Sequence, residues 1–126
     1  MNEVRWKIAY EYSFEYLPES DGVYLICCKC SNWDNIVIYT GQSNNIKKRI
    51  YQHWGDNEKE EIRHIIIKYR NRIFVLYTLF DGRRLDGVEN FLFNYYKPQL
   101  SDKTPDANPI PIQVPNIVSK GRVKFY

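Results

Sequence analysis

Four side chains in the first half of this 126-residue chain have the types and spacing to act together on an anionic substrate, namely Tyr24, Tyr39, Arg49 and His53. Arginine presents a planar fork of donors that matches the oxygens of a phosphate. Histidine changes its charge near neutral pH and can therefore move protons. A tyrosine with the ordinary pKa of about 10 needs a nearby cation before it can orient or deprotonate a water molecule at neutral pH. The set therefore combines one group that can bind a phosphate with groups that can hold or move a proton.

Two predicted strands carry the tyrosines. Residues 23–28 form an apolar run of strand length, and residues 36–40 form a second run rich in β-branched side chains. The residues between them, 31–35, are turn formers. This order predicts an antiparallel hairpin, which would bring Tyr24 and Tyr39 to one region of the sheet.

A short helix is predicted to follow the hairpin and to carry the other two side chains. Gly41 should let the backbone turn out of the sheet, and Ser43 or Asn44 should cap the helix. One face of this helix then carries polar side chains at i, i+4 and i+8, namely Asn45, Arg49 and His53. The neighbouring stripe is apolar and consists of Ile46, Ile50 and Trp54.

Beyond this helix the pattern alternates between helix and strand. Asn57 and Glu60 have the spacing of a capping box for a second helix, which ends near Arg70. Residues 72–80 form a near-continuous apolar run, typical of a central strand buried on both faces. A third helix is predicted over residues 85–96 and ends at a Lys-Pro pair. These elements predict an α+β fold with a small, mainly antiparallel, three-stranded sheet flanked by helices.

Glu89 lies on the predicted third helix, one turn after Leu85 and just under one turn before Leu92. Its carboxylate is therefore expected on or beside the face that packs inward. A glutamate at the rim of an amphipathic helix, paired with a lysine or arginine, is the structural alternative.

Both ends of the chain are predicted to be extended. The alternation of aromatic side chains at Tyr10, Tyr12, Phe14 and Tyr16 favours an edge strand or an extended arm. Residues 102–126 hold four of the six prolines, which predicts an extended Pro-rich tail with a short strand at residues 122–126. We expect residues 1–126 to form a single domain with its core at about residues 22–101.

Composition argues against several classes of protein. No apolar run approaches the ~20 residues of a membrane span, and the first residues lack the core of a signal peptide. We therefore expect no membrane partner and a cytoplasmic location. Cys27, Cys28 and Cys30 lie together without a second Cys/His pair at ligand spacing. They are interpreted as small core residues in a reducing compartment rather than as half a zinc site.

The net charge of +3 is unevenly distributed along the sequence. Residues 1–34 hold three basic and six acidic side chains, whereas the remainder holds fifteen basic and nine acidic ones. A polyanion is the natural partner for the basic part, because phosphate neutralisation drives non-specific binding of nucleic acids. On charge alone, a solvated basic face is an equal alternative.

Gly22-Val23-Tyr24 followed by Tyr39-Thr40-Gly41, with Asn45 and Arg49 downstream, resembles the GIY-YIG nuclease superfamily. The middle residue of each tripeptide varies in that family. Glu89, on a helix closed by a proline, resembles the glutamate that binds the family's metal ion. The resemblance covers roughly residues 22–101.

The resemblance implies a metal-dependent DNA endonuclease that hydrolyses a phosphodiester bond at a single-metal site, with Glu89 as the ligand of Mg²⁺ or Mn²⁺. The implied catalytic residues are Tyr24, Tyr39, Arg49, His53 and Glu89. Tyr39 is favoured as the base or water-orienting group, and His53 either assists that step or is a surface histidine at the helix end. The expected DNA-binding residues are Gly41, Gln42, Asn45, Lys47 and Lys48. We expect a monomer in solution, with a dimer on DNA as an alternative.

Two positions depart from the family pattern. Some branches carry a lysine after the second glycine, where this chain has Gln42, and many place an asparagine after the last helix, where it has Ser101 and Asp102. Two other functions are alternatives. A non-catalytic nucleic-acid-binding module on the same fold would keep the basic surface without needing Glu89. A protein-interaction domain would use the aromatic side chains only as core.

Overall fold

A computed structural model describes residues 2–30, 34–55, 60–101 and 103–124. Its strands are β1 (Lys7–Ala9), β2 (Gly22–Lys29), β3 (Asn35–Ser43) and β4 (Ile73–Leu79). Its α-helices are α1 (Ile46–His53), α2 (Glu60–Lys68) and α3 (Leu85–Tyr96). A 3₁₀ helix, Glu11–Tyr16, connects β1 to β2, and two single-turn 3₁₀ helices flank β4. The fold is α+β, as the sequence predicts.

The sheet has four strands in the order β1-β4-β2-β3, and all neighbouring pairs are antiparallel. The prediction of three strands was wrong because β1 adds to the free edge of β4, with Lys7 opposite Tyr77. The predicted hairpin of β2 and β3 is present, and β4 lies inside the sheet as expected. Nearly every side chain of β2 and β4 is buried, which explains their continuous apolar runs.

The aromatic alternation near the N-terminus predicted an edge strand or an extended arm, and this prediction was wrong. Residues 11–16 form the 3₁₀ helix, in which only Phe14 is buried, and the edge strand β1 lies earlier in the chain. The hydroxyl of Ser13 accepts from the Tyr10 backbone N–H and donates to the Tyr10 carbonyl. These local bonds compete with strand pairing and start the helical turn.

The two faces of the sheet carry separate apolar clusters. One cluster packs the sheet against the 3₁₀ helix, α1 and α2, and includes Tyr24, Ile26, Ile50 and Ile65. The other packs the opposite face against α3 and includes Val23, Leu25, Val88 and Leu92. Helices α1 and α3 therefore lie on opposite faces of one sheet, and any site that uses both must reach around or through an edge.

The helix boundaries agree with the sequence except at the start of α1. Asn45, not Ser43 or Asn44, is the N-cap, and its side-chain oxygen accepts from the Lys48 backbone N–H at 3.0 Å. The expectation that Gly41 leaves the sheet was also wrong, because β3 continues to Ser43. Helix α3 has the predicted bounds and ends at Lys97, whose φ of 48° is left-handed.

The segment after α3 crosses the domain without a named helix or strand in residues 103–124. It makes isolated bridges from Ile112 to Asn2 and from Ser119 to Ile36. Ile112 is fully buried in the cluster below α3. The terminal strand predicted at residues 122–126 is absent from the described residues 122–124.

Several predicted features fall outside the described residues, namely turn residues 31–33, the cap Asn57, Asp102, and residues 125–126. Within the described part of the chain, none of the helices has the length and apolar character needed to cross a bilayer. Cys27 and Cys28 are buried free thiols and Cys30 is partly exposed, which agrees with their interpretation as core residues.

Truncating Ile112 tests whether the segment after α3 stabilises the fold. Its side chain is completely buried, so Ile112→Ala should leave a cavity and lower the free energy of unfolding by about 2–5 kcal/mol. Ile117→Ala is the matched control on the same segment, because Ile117 is 50% exposed. Urea unfolding followed by circular dichroism measures both. Equal, small losses for the two variants would contradict a packing role for this segment.

Candidate active site

Tyr24 and His53 are the most buried members of the predicted set. Tyr24 lies opposite Gly41 in the β2–β3 pairing, and its side chain is 1% exposed. A Cβ atom at position 41 would overlap Cζ and the hydroxyl of Tyr24. The second glycine of the motif is therefore needed for close packing rather than for a turn, since only glycine lets the ring pass against the edge strand.

The Tyr24 hydroxyl reaches His53 at the end of α1. The Tyr24 Oη to His53 Nε2 distance is 2.7 Å, and both groups are buried. The burial of His53 rules out the alternative of a surface histidine. Tyr39 completes an aromatic trio, with its ring centroid 4.8 Å from His53 and 6.2 Å from Tyr24.

A break in the β2–β3 register adds Ile38 to this face beside Tyr39. The register shifts between Ile26 and Cys27, so that β3 carries one extra residue there. Ile38 and Tyr39 are neighbours in sequence, yet both pack against the cluster that contains Tyr24. Strict alternation would have sent one of them to the opposite face.

The charge of Arg49 acts on both Tyr24 and Glu89. Burial raises the pKa of the Tyr24 hydroxyl well above its ordinary value, and the nearby Tyr39 raises it further. The Arg49 charge and its hydrogen bond to Tyr24 oppose that rise. Without a further cation, Tyr24 thus keeps its proton at neutral pH.

Glu89 reaches the site from α3, on the other side of the sheet. Its side chain is half-buried, and its Oε2 accepts from the Gln42 amide at 2.9 Å. The same Gln42 Nε2 also donates to Oδ1 of Asp86, one turn earlier on α3. Gln42 therefore joins the edge strand to both carboxylates, a contact that the sequence did not reveal.

The environment of Glu89 disfavours its charged form. Burial raises the pKa of its carboxyl, and the neighbouring Asp86 adds to the rise. The Gln42 hydrogen bond and the Arg49 charge act in the opposite direction. A bound cation would stabilise the charged form of Glu89, because the positive charge would offset the cost of burying the carboxylate.

The donors present fit a hard divalent cation with a mostly water shell. Mg²⁺ binds through one or two carboxylates and keeps several waters, and the half-buried Glu89 offers one such carboxylate. The described residues contain no group of three or more His, Cys, Asp or Glu side chains able to form a closed metal cage. The residues around Glu89 thus match a magnesium site in which most ligands are waters, and not a structural zinc site.

The predicted DNA-binding residues are only partly near this set. Gly41 and Gln42 lie in it, whereas the Asn45 side chain is used in the helix cap. Lys48 is exposed and Lys47 is partly exposed on the first turn of α1.

Ser101 is a further residue with a structural role at the site. Its Oγ accepts from the Thr40 backbone N–H at 3.0 Å, and the Leu100 N–H donates to the Ile38 carbonyl at 3.0 Å. These bonds cover the free edge of β3 on either side of Tyr39. Ser101 stood out in the sequence only because it departs from the family motif. The i, i+3 spacing of Asp86 and Glu89 was a sequence signal for Asp86 that was missed.

Comparison with known proteins matches the same stretch. A family model described as the GIY-YIG catalytic domain matches residues 20–102. The UvrABC system protein C of Bacteroides thetaiotaomicron is 32% identical over 86 residues. That alignment covers 68% of this chain but only 13% of the relative's length.

Solved structures of similar fold include the GIY-YIG N-terminal endonuclease domain of UvrC from Thermotoga maritima bound to magnesium, its catalytic divalent cation. It superimposes with a TM-score of 0.54 at 19% identity, and the alignment covers 72% of this chain and 93% of that domain. A tyrosine point mutant of the same domain, also with a divalent cation, gives a TM-score of 0.55 at 17% identity and covers 73% and 93%. These likenesses show the fold.

The burial of Glu89 predicts a pH-dependent stability. Since its pKa is raised in the folded state, the folded chain binds more protons between the ordinary value of about 4.3 and the raised value. The free energy of unfolding should therefore fall as the pH rises through that range. Glu89→Gln keeps an acceptor for Gln42 and should be more stable than the wild type at pH 7, with the difference vanishing below about pH 4.

Urea unfolding at a series of pH values, with chelator present, measures this difference. Glu15→Gln makes the same change at an exposed position and corrects for net charge. A Glu89→Gln variant less stable than the wild type at pH 7 would show that favourable contacts outweigh burial at this carboxylate.

Proposed function

The chain belongs to the GIY-YIG catalytic-domain family, and from this membership we propose that it is an endonuclease that hydrolyses DNA phosphodiester bonds with a divalent cation. The observation that carries the proposal is the convergence of groups from both faces of the sheet. Tyr24, Tyr39 and His53 form one buried cluster, and Arg49 lies within electrostatic range of both Tyr24 and Glu89. A domain that only bound DNA would not need a half-buried carboxylate there.

Each side chain has a role that follows from its chemistry. Arg49 binds the non-bridging oxygens of the scissile phosphate through its planar fork. Tyr39, which is half-buried, orients or deprotonates the attacking water. Tyr24 and His53 form a hydrogen-bonded pair that fixes the ring of Tyr39 and the position of the phosphate.

Glu89 would hold the divalent cation, Mg²⁺ or Mn²⁺, as its one protein ligand. The bound cation supplies charge stabilisation to the phosphoryl oxygens and to the leaving 3′ oxygen. Gln42 orients the Glu89 carboxylate from the edge strand, where some family branches carry a lysine. The magnesium in the Thermotoga maritima UvrC domain supports this assignment.

DNA is the proposed partner, and Lys47 and Lys48 are its proposed phosphate contacts. Both lie on the first turn of α1, the helix that also carries Arg49 and His53. Backbone contacts of this kind position a duplex without reading its sequence. We propose a monomer in solution, with a dimer on DNA as the arrangement that would allow both strands to be cut.

A supercoiled-plasmid assay tests the function directly. The wild-type chain should convert supercoiled DNA to nicked or linear forms with Mg²⁺, and a chelator should stop the conversion. DNA binding without cleavage would favour the non-catalytic module, and neither binding nor cleavage would favour the protein-interaction domain.

Removing the proposed metal ligand should abolish cleavage without loss of DNA binding. Glu89→Gln keeps the shape and the Gln42 contact but removes the charge that attracts the cation. Asp86→Asn removes one charge from the same helix and should retain activity within about tenfold. Calorimetry with Mn²⁺ should show loss of binding in Glu89→Gln only. Cleavage by Glu89→Gln at the wild-type rate would rule out Glu89 as the ligand.

The two tyrosines should differ in their effect on the chemical step. Tyr39→Phe keeps the ring packing and removes the hydroxyl, so the single-turnover rate should fall by ~10²–10⁴-fold. Tyr24→Phe should be milder, because the raised pKa of Tyr24 suits positioning rather than proton abstraction. If Tyr39→Phe cleaves normally while Tyr24→Phe is inactive, the two roles are reversed.

A further inference from the structure

A cavity of about 360 Å³ lies at the β1 edge of the sheet. Gly41 lies on the opposite edge strand, β3. The walls of the cavity come from β1, from the end of β4, and from the segment that leaves the 3₁₀ helix. The residues that matter for its chemistry are Arg5, Lys7, Tyr16, Pro18 and Tyr77. We call this cavity the β1 pocket.

The β1 pocket is positively charged. Arg5 and Lys7 alternate with Trp6 along the chain, so both face the side of the sheet that Ala9 and α1 occupy. Both are exposed, and neither forms an ion pair within the part of the chain that the structure describes. None of the residues that line the pocket is acidic. A phosphate group is the complementary ligand.

The pocket also offers an aromatic surface to a base. Tyr16 is 79% exposed, and Tyr77 lines the same cavity and is half-buried. Aromatic side chains beside a basic groove stack on the bases of unpaired nucleic acid, because every base has a π face. In a duplex each base already stacks on its neighbours, so an unpaired nucleotide fits this surface best.

The pocket is in line with the candidate active site. Lys7, Tyr77 and Tyr24 face each other across three adjacent strands, and Gly41 follows on the fourth. Neighbouring strands lie about 4.8 Å apart, so the backbones at Lys7 and Tyr24 are separated by roughly 10 Å. The Pro18 carbonyl at the pocket wall accepts from the Lys47 backbone N–H at 3.0 Å. This hydrogen bond joins the wall of the pocket to α1, the helix that carries Arg49.

We propose that the β1 pocket binds an unpaired nucleotide of the DNA strand whose phosphodiester occupies the candidate active site. This inference rests on the proposed nuclease function and adds a substrate class to it. The preferred substrate is then DNA in which single-stranded nucleotides adjoin a duplex. Arg5 and Lys7 hold the phosphate, and Tyr16 stacks on the base.

Fluorescence anisotropy with chelator present tests the pocket without cleavage. The probes are a short blunt duplex and the same duplex with a single-stranded extension, at either the 5′ or the 3′ end. The wild-type chain should bind one extended probe about tenfold more tightly than the blunt one. Tyr16→Ala and the double variant Arg5→Ala/Lys7→Ala should lose that preference.

Two matched controls separate the pocket from general effects. Tyr12→Ala removes a ring of similar exposure, 82%, from the same 3₁₀ helix but outside the pocket. Arg122→Ala/Lys124→Ala removes one arginine and one lysine from exposed positions beside the opposite edge of the sheet. Both controls should keep the preference for the extended probe, and circular dichroism should show all variants folded.

The outcomes distinguish the pocket from the proposed function. Equal binding of both probes by the wild type overturns the pocket, as does equal loss of preference in pocket and control variants. If the wild type cleaves plasmid DNA but shows no preference, the nuclease function stands and the pocket fails. If the preference depends on the pocket residues but no DNA is cleaved, the pocket stands and the nuclease function fails. A wild type that binds neither probe overturns both.

Discussion

The site depends on the packing of one aromatic ring against one glycine. Tyr24 starts in an inner strand and fills the space that a side chain at position 41 would occupy, which lets its hydroxyl reach His53 on α1. Any larger residue at 41 would force this ring out of a close-packed core, at a cost of about 1–3 kcal/mol. The buried Tyr24 hydroxyl and His53 Nε2 are hydrogen-bonded to each other, so losing this contact would also cost a buried hydrogen bond. The stability of the fold and the geometry of the site therefore rest on the same contact.

The candidate site has side chains on both faces of the sheet, and these side chains come together at the edge strand β3. Glu89 comes from α3, yet its charge raises the pKa of Tyr24, whose ring packs on the α1 side. Gln42, next to Gly41 on β3, points to the α3 side and bonds Glu89. Ser101 and Leu100 cover the backbone of the same strand. The edge beside Tyr39 is thereby closed to pairing with another strand.

Most of the fold could be predicted because its elements carry strong local signals. The β2–β3 hairpin, the buried strand β4 and the bounds of α3 follow from periodicity and from turn and stop residues. The edge strand β1 was missed because three residues give no period, while the aromatic alternation after it resembles a strand. At the site, the register shift that places both Ile38 and Tyr39 on the face of Tyr24 has no sequence signature. The contact of Gln42 with two carboxylates depends on how α3 packs across β3, which is a tertiary property.

The distribution of charge on the surface also could not be predicted from the sequence alone. Counted along the sequence, residues 1–34 are acidic, and the basic surface should begin after them. The fold changes this expectation. Arg5, just before β1, and Lys7, in β1, line the same pocket on the α1 side of the sheet. Their charges then add to those of Lys47 and Lys48, which lie more than 35 residues later in the chain. A polyanion responds to the field at the surface over a Debye length of about 10 Å. The electrostatic footprint is therefore set by strand order and side-chain direction, and an acidic segment can supply part of a basic face.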